Sequence, residues 1–251
     1  MSYDLTGRVA LVTGASRGLG AAIAHKLGTC GARVAVNYYG SPDKAQRVVQ
    51  GIRQPGGSAE AFKADVRDET EVARLVERVR SQLGPIDILV INATGLQPFI
   101  KIEDMTWRHC LDQLEFFLKS PLLLVKQVVG EMKERRYGRI INIGSEVFER
   151  GVPAFANYVS AKGAQLGLTR SWAMELAPWQ ITVNLIAPGW IPTERHAGDP
   201  QEMKDAYAAA VPMQRMGVAE DIGEAVAFVA SNEAKFITGQ KISVNGGNTL
   251  A

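Results

Sequence analysis

Short runs of apolar and β-branched residues alternate with helix-length stretches along the whole 251-residue chain. Strands are predicted at 9–13, 33–38, 59–63, 87–92, 139–144, 182–187 and 241–244. Helices are predicted at 18–29, 41–54, 69–83, 105–136, 154–177 and 219–231. The strand runs are continuously apolar and do not alternate with polar residues. Such strands must be covered on both faces, and helices between them provide the cover, so the sheet is expected to be parallel. Seven strands with right-handed crossovers follow. There is no internal repeat, low-complexity tract or linker, so 1–251 reads as one domain. The exception to the regular pattern is 189–216, rich in proline, glycine and polar residues. A loop of that length inside a compact domain usually serves a site, and it is read as a substrate lid.

Charge narrows the possible partners. There are 28 basic and 26 acidic residues and a formal net charge of +2, which gives no electrostatic case for nucleic acid or an anionic membrane. Residues 1–8 lack an apolar signal region, and no apolar run is long enough to span a bilayer. The two cysteines, Cys30 and Cys110, cannot build a disulfide framework and fit a reducing cytoplasm. His109 and His196 have no metal-ligand spacing to any partner, so no metal site is expected.

The first strand runs into Thr13-Gly14-Ala15-Ser16-Arg17-Gly18-Leu19-Gly20, which opens the first helix. Glycines there allow a tight turn and close approach of a pyrophosphate, and the helix start offers free N–H groups. Its position between strand and helix makes this a dinucleotide site rather than a plain turn. The second strand ends at Tyr38 with no carboxylate to repel a 2′-phosphate, while Arg17 and Ser41 could bind one. NADP(H) is therefore favoured over NAD(H).

Tyr158 and Lys162 lie one turn apart in a predicted helix and share a face. A nearby ammonium favours the phenolate, which predicts a tyrosine pKa lowered towards neutrality and suited to general acid work. Ser145 follows a strand at its carboxyl end, where open α/β sheets bind ligands, and could hydrogen-bond a substrate oxygen. Taken alone, the Tyr-Lys spacing is common on ordinary helix faces.

These residues, with Asp65-Val66, Asn92-Ala93, Asn184, Pro188-Gly189, Thr193 and the closing Val244-Asn245-Gly246-Gly247, resemble the short-chain dehydrogenase/reductase family over essentially the whole chain. Within it the resemblance is to 3-oxoacyl-[acyl-carrier-protein] reductases. It implies a Rossmann-type α/β fold with a doubly wound sheet in the order 3-2-1-4-5-6-7, and a homotetramer built on the helices at 105–136 and 154–177. It also implies roles for individual residues. Asp65 and Val66 would hold the adenine, and Asn92 and Ala93 would support the cofactor pocket. Lys162 would hold the nicotinamide ribose. Pro188, Gly189, Ile191 and Thr193 would position the nicotinamide. Apart from the resemblance, residues just past the strand ends should line the substrate pocket, among them Gln97, Glu146, Phe148 and Trp190, although a lone glutamate such as Glu146 more commonly points to solvent.

Two departures from the family pattern stand out. Its Asn-Asn-Ala-Gly reads Ile91-Asn92-Ala93-Thr94. Its active-site asparagine is missing: counting back from Ser145 places Phe117 there, and counting forward from Trp107 places Leu114, three residues earlier. In the family the main-chain carbonyl at that position holds a relay water. Pro121 has no N–H to bond the Phe117 carbonyl, so that carbonyl is expected to stay available; the alternative is a simple kink, or a degraded relay with slow turnover.

The expected activity is hydride transfer between NADP(H) and a carbonyl or secondary alcohol, including a 3-oxoacyl thioester. Sugar, steroid or polyketide substrates are the alternative. A catalytically weak NADP-binding sensor or scaffold is the alternative from another class.

Overall fold

The computed structural model describes residues 3–250; Met1, Ser2 and Ala251, at the ends of the predicted domain, lie outside the described residues. Seven parallel strands form one sheet in the order β3-β2-β1-β4-β5-β6-β7. They are β1 (Val9–Val12), β2 (Arg33–Tyr38), β3 (Ser58–Lys63), β4 (Ile88–Ile91), β5 (Gly138–Ile143), β6 (Ile181–Pro188) and β7 (Lys241–Val244). The expected order is the one found.

Successive residues of a strand point to opposite faces, so each strand serves two cores. Ala10 and Val12 pack with helices α1 (Gly18–Thr29), α2 (Pro42–Arg53) and α9 (Ala219–Ala230). Val9 and Leu11 face the other way, onto α3 (Glu69–Leu83), α5 (Ser120–Arg135) and α7 (Ala156–Leu176). All four strand residues are fully buried, which is why the runs carry no polar alternation.

Three regions differ from the sequence reading. The helix expected over 105–136 is divided into α4 (Trp107–Leu114), a wide π turn (Glu115–Lys119) and α5. A residue inserted into a helix is absorbed as a π bulge. The bulge falls where the two counts for the missing asparagine disagree, just before Pro121. A short helix, α6 (Val147–Arg150), directly follows the Ser145 strand. Finally, 189–216 is not wholly irregular: it contains α8 (Gln201–Ala210). Among the described residues, no helix is long and apolar enough to cross a membrane.

Candidate active site

The carboxyl ends of β1, β4, β5 and β6 open on one side of the sheet, and the site is built there. The turn after β1 is held by its neighbours. Asn92 donates from its amide to the Thr13 carbonyl (2.8 Å) and the Gly14 carbonyl (3.2 Å), and its N–H reaches Thr13 Oγ1 at 2.9 Å. Buried Asn37 accepts from the Gly14 N–H at 3.2 Å and donates to the carbonyls of Phe62 and Ala64. Gly14 has φ +62, and a Cβ there would stand 2.8 Å from the Ala93 Cα, so glycine is required both for the turn and for the close approach. Helix α1 starts at Gly18 with no side-chain cap and no acidic residue in its first turn. Its leading N–H groups and dipole therefore suit an anion such as a pyrophosphate.

The remaining predicted cofactor residues lie around this turn. Arg17 is exposed, while Ser16, Leu19 and Tyr38 are half-buried. Ser41 stands at the start of α2 without capping it. Thr193 lies over Gly18. Asp65 is already engaged: Arg67 grips its carboxylate at 2.9 and 2.6 Å, which holds the Asp65 pKa below the usual value. The cap of α3 is Asp68, which accepts from the Glu71 N–H at 2.8 Å. Val66 and Ile191 are buried.

Ser145 follows β5, and Tyr158 and Lys162 project from α7. The Ser145 and Gln97 side chains stand towards the Tyr158 hydroxyl, and each favours its ionised form. The Phe155 ring stacks on the Tyr158 ring at 4.7 Å between centroids, and Phe117 meets it edge-on at 5.4 Å. Lys162 is buried and does not reach for the hydroxyl. Its ammonium donates to the Ile143 carbonyl at 2.6 Å and to Gln165 Oε1 at 3.1 Å, beneath the Tyr158 ring. The Phe117 ring covers it, with Nζ 3.7 Å from the centroid.

The predicted lowering of the tyrosine pKa is therefore not found. Burial pushes the Tyr158 phenol up to about 12, against weaker downward pulls from Ser145, Arg195 and Gln97. Burial, followed by repulsion from Arg195, lowers the Lys162 amine well below its ordinary value. The spacing did place both groups on one face of α7, but the Ile143 carbonyl takes the ammonium.

Glu146 also departs from expectation. It is buried and does not point to solvent. Its carboxylate accepts from Tyr207 (2.6 Å), Asn245 (3.1 Å), Asn248 (2.9 and 3.0 Å) and Arg150 (3.2 Å). It thereby ties the end of β5 to α8 and to the segment after β7. Tyr207 in turn accepts from the Trp190 N–H at 2.8 Å, and the Trp190 ring meets Tyr207 edge-on at 5.5 Å. Trp190 thus belongs to the same clasp, and Phe148 leans from α6 onto Gly163 at the surface.

Burial and Glu146 push the Tyr207 phenol up to about 12, above its ordinary 10.0. A raised phenol pKa means the native state keeps a proton that the unfolded chain loses. This stability is complete below pH 10 and disappears as pH rises towards 12. Tyr207→Phe is expected to flatten the alkaline loss of stability, read by denaturant melts at a series of alkaline pH values.

Sequence reasoning missed Arg195, Gln165, Tyr207 and Asn248. Arg195 donates to the Gly95 carbonyl at 3.0 Å, and its charge is felt at both Tyr158 and Lys162. Gln165 was detectable in principle, three residues after Lys162 on the same helix.

A glycine turn opening a helix, and Ser145, Tyr158 and Lys162 gathered at the carboxyl end of the same parallel sheet, are the features of a nicotinamide-dependent oxidoreductase. The comparisons place it further. A family model described as "Enoyl-(Acyl carrier protein) reductase" matches residues 14–249. The chain is 42% identical over 240 residues to the 3-oxoacyl-[acyl-carrier-protein] reductase FabG of Staphylococcus epidermidis, covering 95% of this chain and 97% of that one. It is 39% identical over 246 residues to the FabG of Escherichia coli, covering 97% and 98%. Among solved structures, the keto-reductase LugOII of lugdunomycin biosynthesis superposes with a TM-score of 0.90 at 37% identity, covering 98% of this chain and 99% of that one. A putative gluconate dehydrogenase from Agrobacterium tumefaciens gives 0.94 at 33%, covering both chains fully. The chain belongs to the short-chain dehydrogenase/reductase family. It is an oxidoreductase acting on carbonyl or hydroxyl groups, similar to the 3-oxoacyl-[acyl-carrier-protein] reductases.

Proposed function

We propose that the protein reduces a ketone with NADPH, using Tyr158 as proton donor, Ser145 as the hydrogen-bond donor to the substrate oxygen and Lys162 as the neighbouring charge. The observation that carries this reading is the convergence of Ser145 on the buried Tyr158, with the Lys162 ammonium held beneath the Tyr158 ring. The uncapped start of α1 and the Gly14 approach to Ala93 fit a dinucleotide, which Gly14, Ser16, Gly18, Leu19 and Gly20 would hold. When bound, the nicotinamide supplies the hydride. Ser145 polarises the carbonyl and stabilises the charge that develops on its oxygen. Tyr158 then delivers its proton to that oxygen.

The raised Tyr158 pKa supports reduction as the working direction, because the phenol is fully protonated at neutral pH. Ketone reduction is expected to be flat across neutral pH, whereas alcohol oxidation, which needs the phenolate, is expected to climb with pH. A reduction rate that instead falls steeply around neutrality contradicts this assignment.

NADP(H) is favoured because β2 ends without a carboxylate and Arg17 stands exposed in the turn. Arg17→Ala is expected to raise the KM for NADPH about tenfold, roughly 1.4 kcal/mol, and to leave the KM for NADH nearly unchanged. The substrate proposed is a 3-oxoacyl thioester, by likeness to the FabG relatives. The likeness to a keto-reductase of lugdunomycin biosynthesis keeps a ketone other than a 3-oxoacyl thioester, such as a polyketide, as a second reading. The clasped segment 189–216 acts as the lid. The Phe117 carbonyl keeps its place as the acceptor of a relay water, since Pro121 has no N–H to bond it. Trp107, Leu118, Leu122 and Met174 expose large apolar surface on α4, the π turn, α5 and α7, which supports a homotetramer built on these helices. Light scattering on the purified protein gives its mass.

A further inference from the structure

The ammonium of Lys162 sits in a shell without a carboxylate partner among the described residues. Its neighbours are the Ile143 carbonyl, the Gln165 side chain and the Phe117 ring. The charged or titratable groups facing it are Tyr158 on its own helix and Arg195 from the 189–216 segment, and neither attracts a cation at neutral pH. A buried amine in such a place loses its proton unless hydrogen-bond acceptors hold the charged form.

The orientation of the Gln165 amide follows from a chain of bonds. Thr169 spends its one hydroxyl proton on the Gln165 carbonyl at 2.9 Å, so its oxygen can only accept from Asn142 Nδ2, also at 2.9 Å. That turns Asn142 Oδ1 towards Gln165 Nε2, 3.5 Å away, and leaves Gln165 Oε1 facing the ammonium at 3.1 Å. Gln165, Asn142 and Thr169 are all buried, which shields these links from bulk solvent.

We infer that Gln165, locked by Asn142 and Thr169, is a positioning residue that keeps Lys162 protonated and in place beneath Tyr158. The Phe117 ring lies on the ammonium and offers it no hydrogen-bond acceptor, so the side chain that accepts from Lys162 is Gln165. The inference rests on the proposed roles of Tyr158 and Lys162.

The test combines a ¹⁵N-lysine NMR titration of the Lys162 amine with pH profiles of ketone reduction, in the wild type, Gln165→Met and Gln165→Glu. Gln165→Met removes the acceptor and is expected to lower the Lys162 midpoint by about one pH unit. In Gln165→Met, kcat is expected to fall about tenfold with little change in the KM for ketone, and the alkaline limb to move to lower pH. Gln165→Glu places an anion against the ammonium and is expected to move the midpoint and the limb the other way. Thr169→Val removes the hydroxyl that orients Asn142 and leaves the Gln165 side chain itself unchanged. It is expected to lower the midpoint by a smaller amount, and it serves if Gln165→Met does not fold. A midpoint that stays put in the folded variants, or moves the same way in Gln165→Met and Gln165→Glu, overturns the inference. If the wild type turns over no ketone, the reductase reading fails, and the NMR titration still decides the role of Gln165.

Discussion

Tyr158→Phe is expected to cut ketone reduction by about 10²- to 10⁴-fold, the usual worth of a positioned general acid. The loss should appear in kcat. The ring stays between Phe155 and Phe117, so the packing that the tyrosine makes is preserved. NADPH binding, followed by nucleotide fluorescence, should change little, because the glycine turn and its Asn92 and Asn37 supports are untouched. Thermal stability should stay near that of the wild type. A Tyr158→Phe protein that retains most of its kcat would remove the proton donor from the account, whatever the fold.

Glu146→Ala is expected to act on the fold more than on the chemical step. Three buried or half-buried side chains, Tyr207, Asn245 and Asn248, donate to its carboxylate and would be left without that acceptor. Removing one partner from a buried charged network costs about 3 kcal/mol or more. For a chain of this size that lowers Tm by about 6–12 °C. The clasp also sets the position of Trp190 through Tyr207, so the KM for substrate should rise as the 189–216 segment loosens. Glu146→Gln keeps one acceptor oxygen and should lose about 1 kcal/mol. Equal melting temperatures in wild type and Glu146→Ala would show that the network stabilises nothing.

The sheet was legible because each strand is buried twice over, and a run such as Val9–Val12 has no other way to exist in water. The glycine turn and the Ser145, Tyr158 and Lys162 set were legible because their spacing is local and their type is chemical. The helix break at Glu115–Lys119 was half-legible: Pro121 marks a disturbance, but nothing local says that it takes the form of a wide turn. Helix α8 was hidden by its flanks. Pro200 and the surrounding glycines read as loop, although Gln201–Ala210 is itself rich in good helix formers. Glu146 was misread for a different reason. Its acceptor role depends on Tyr207, Asn245 and Asn248, 61 to 102 positions away in sequence, which only the fold brings together. The pKa of Tyr158 was missed because spacing fixes which face a side chain shares, but not where an ammonium finds its best acceptor, and here that acceptor is the Ile143 carbonyl.

The most direct measurement is the reaction of the purified protein with acetoacetyl thioester and NADPH carrying deuterium at both positions of the nicotinamide C4, with the product analysed by mass spectrometry. The account predicts a 3-hydroxyacyl product bearing deuterium on its carbinol carbon, formed by the wild type and nearly absent with Tyr158→Phe. Label that never reaches the product carbon, on this or any other ketone, would contradict the claim that Ser145, Tyr158 and Lys162 carry out hydride-coupled carbonyl reduction.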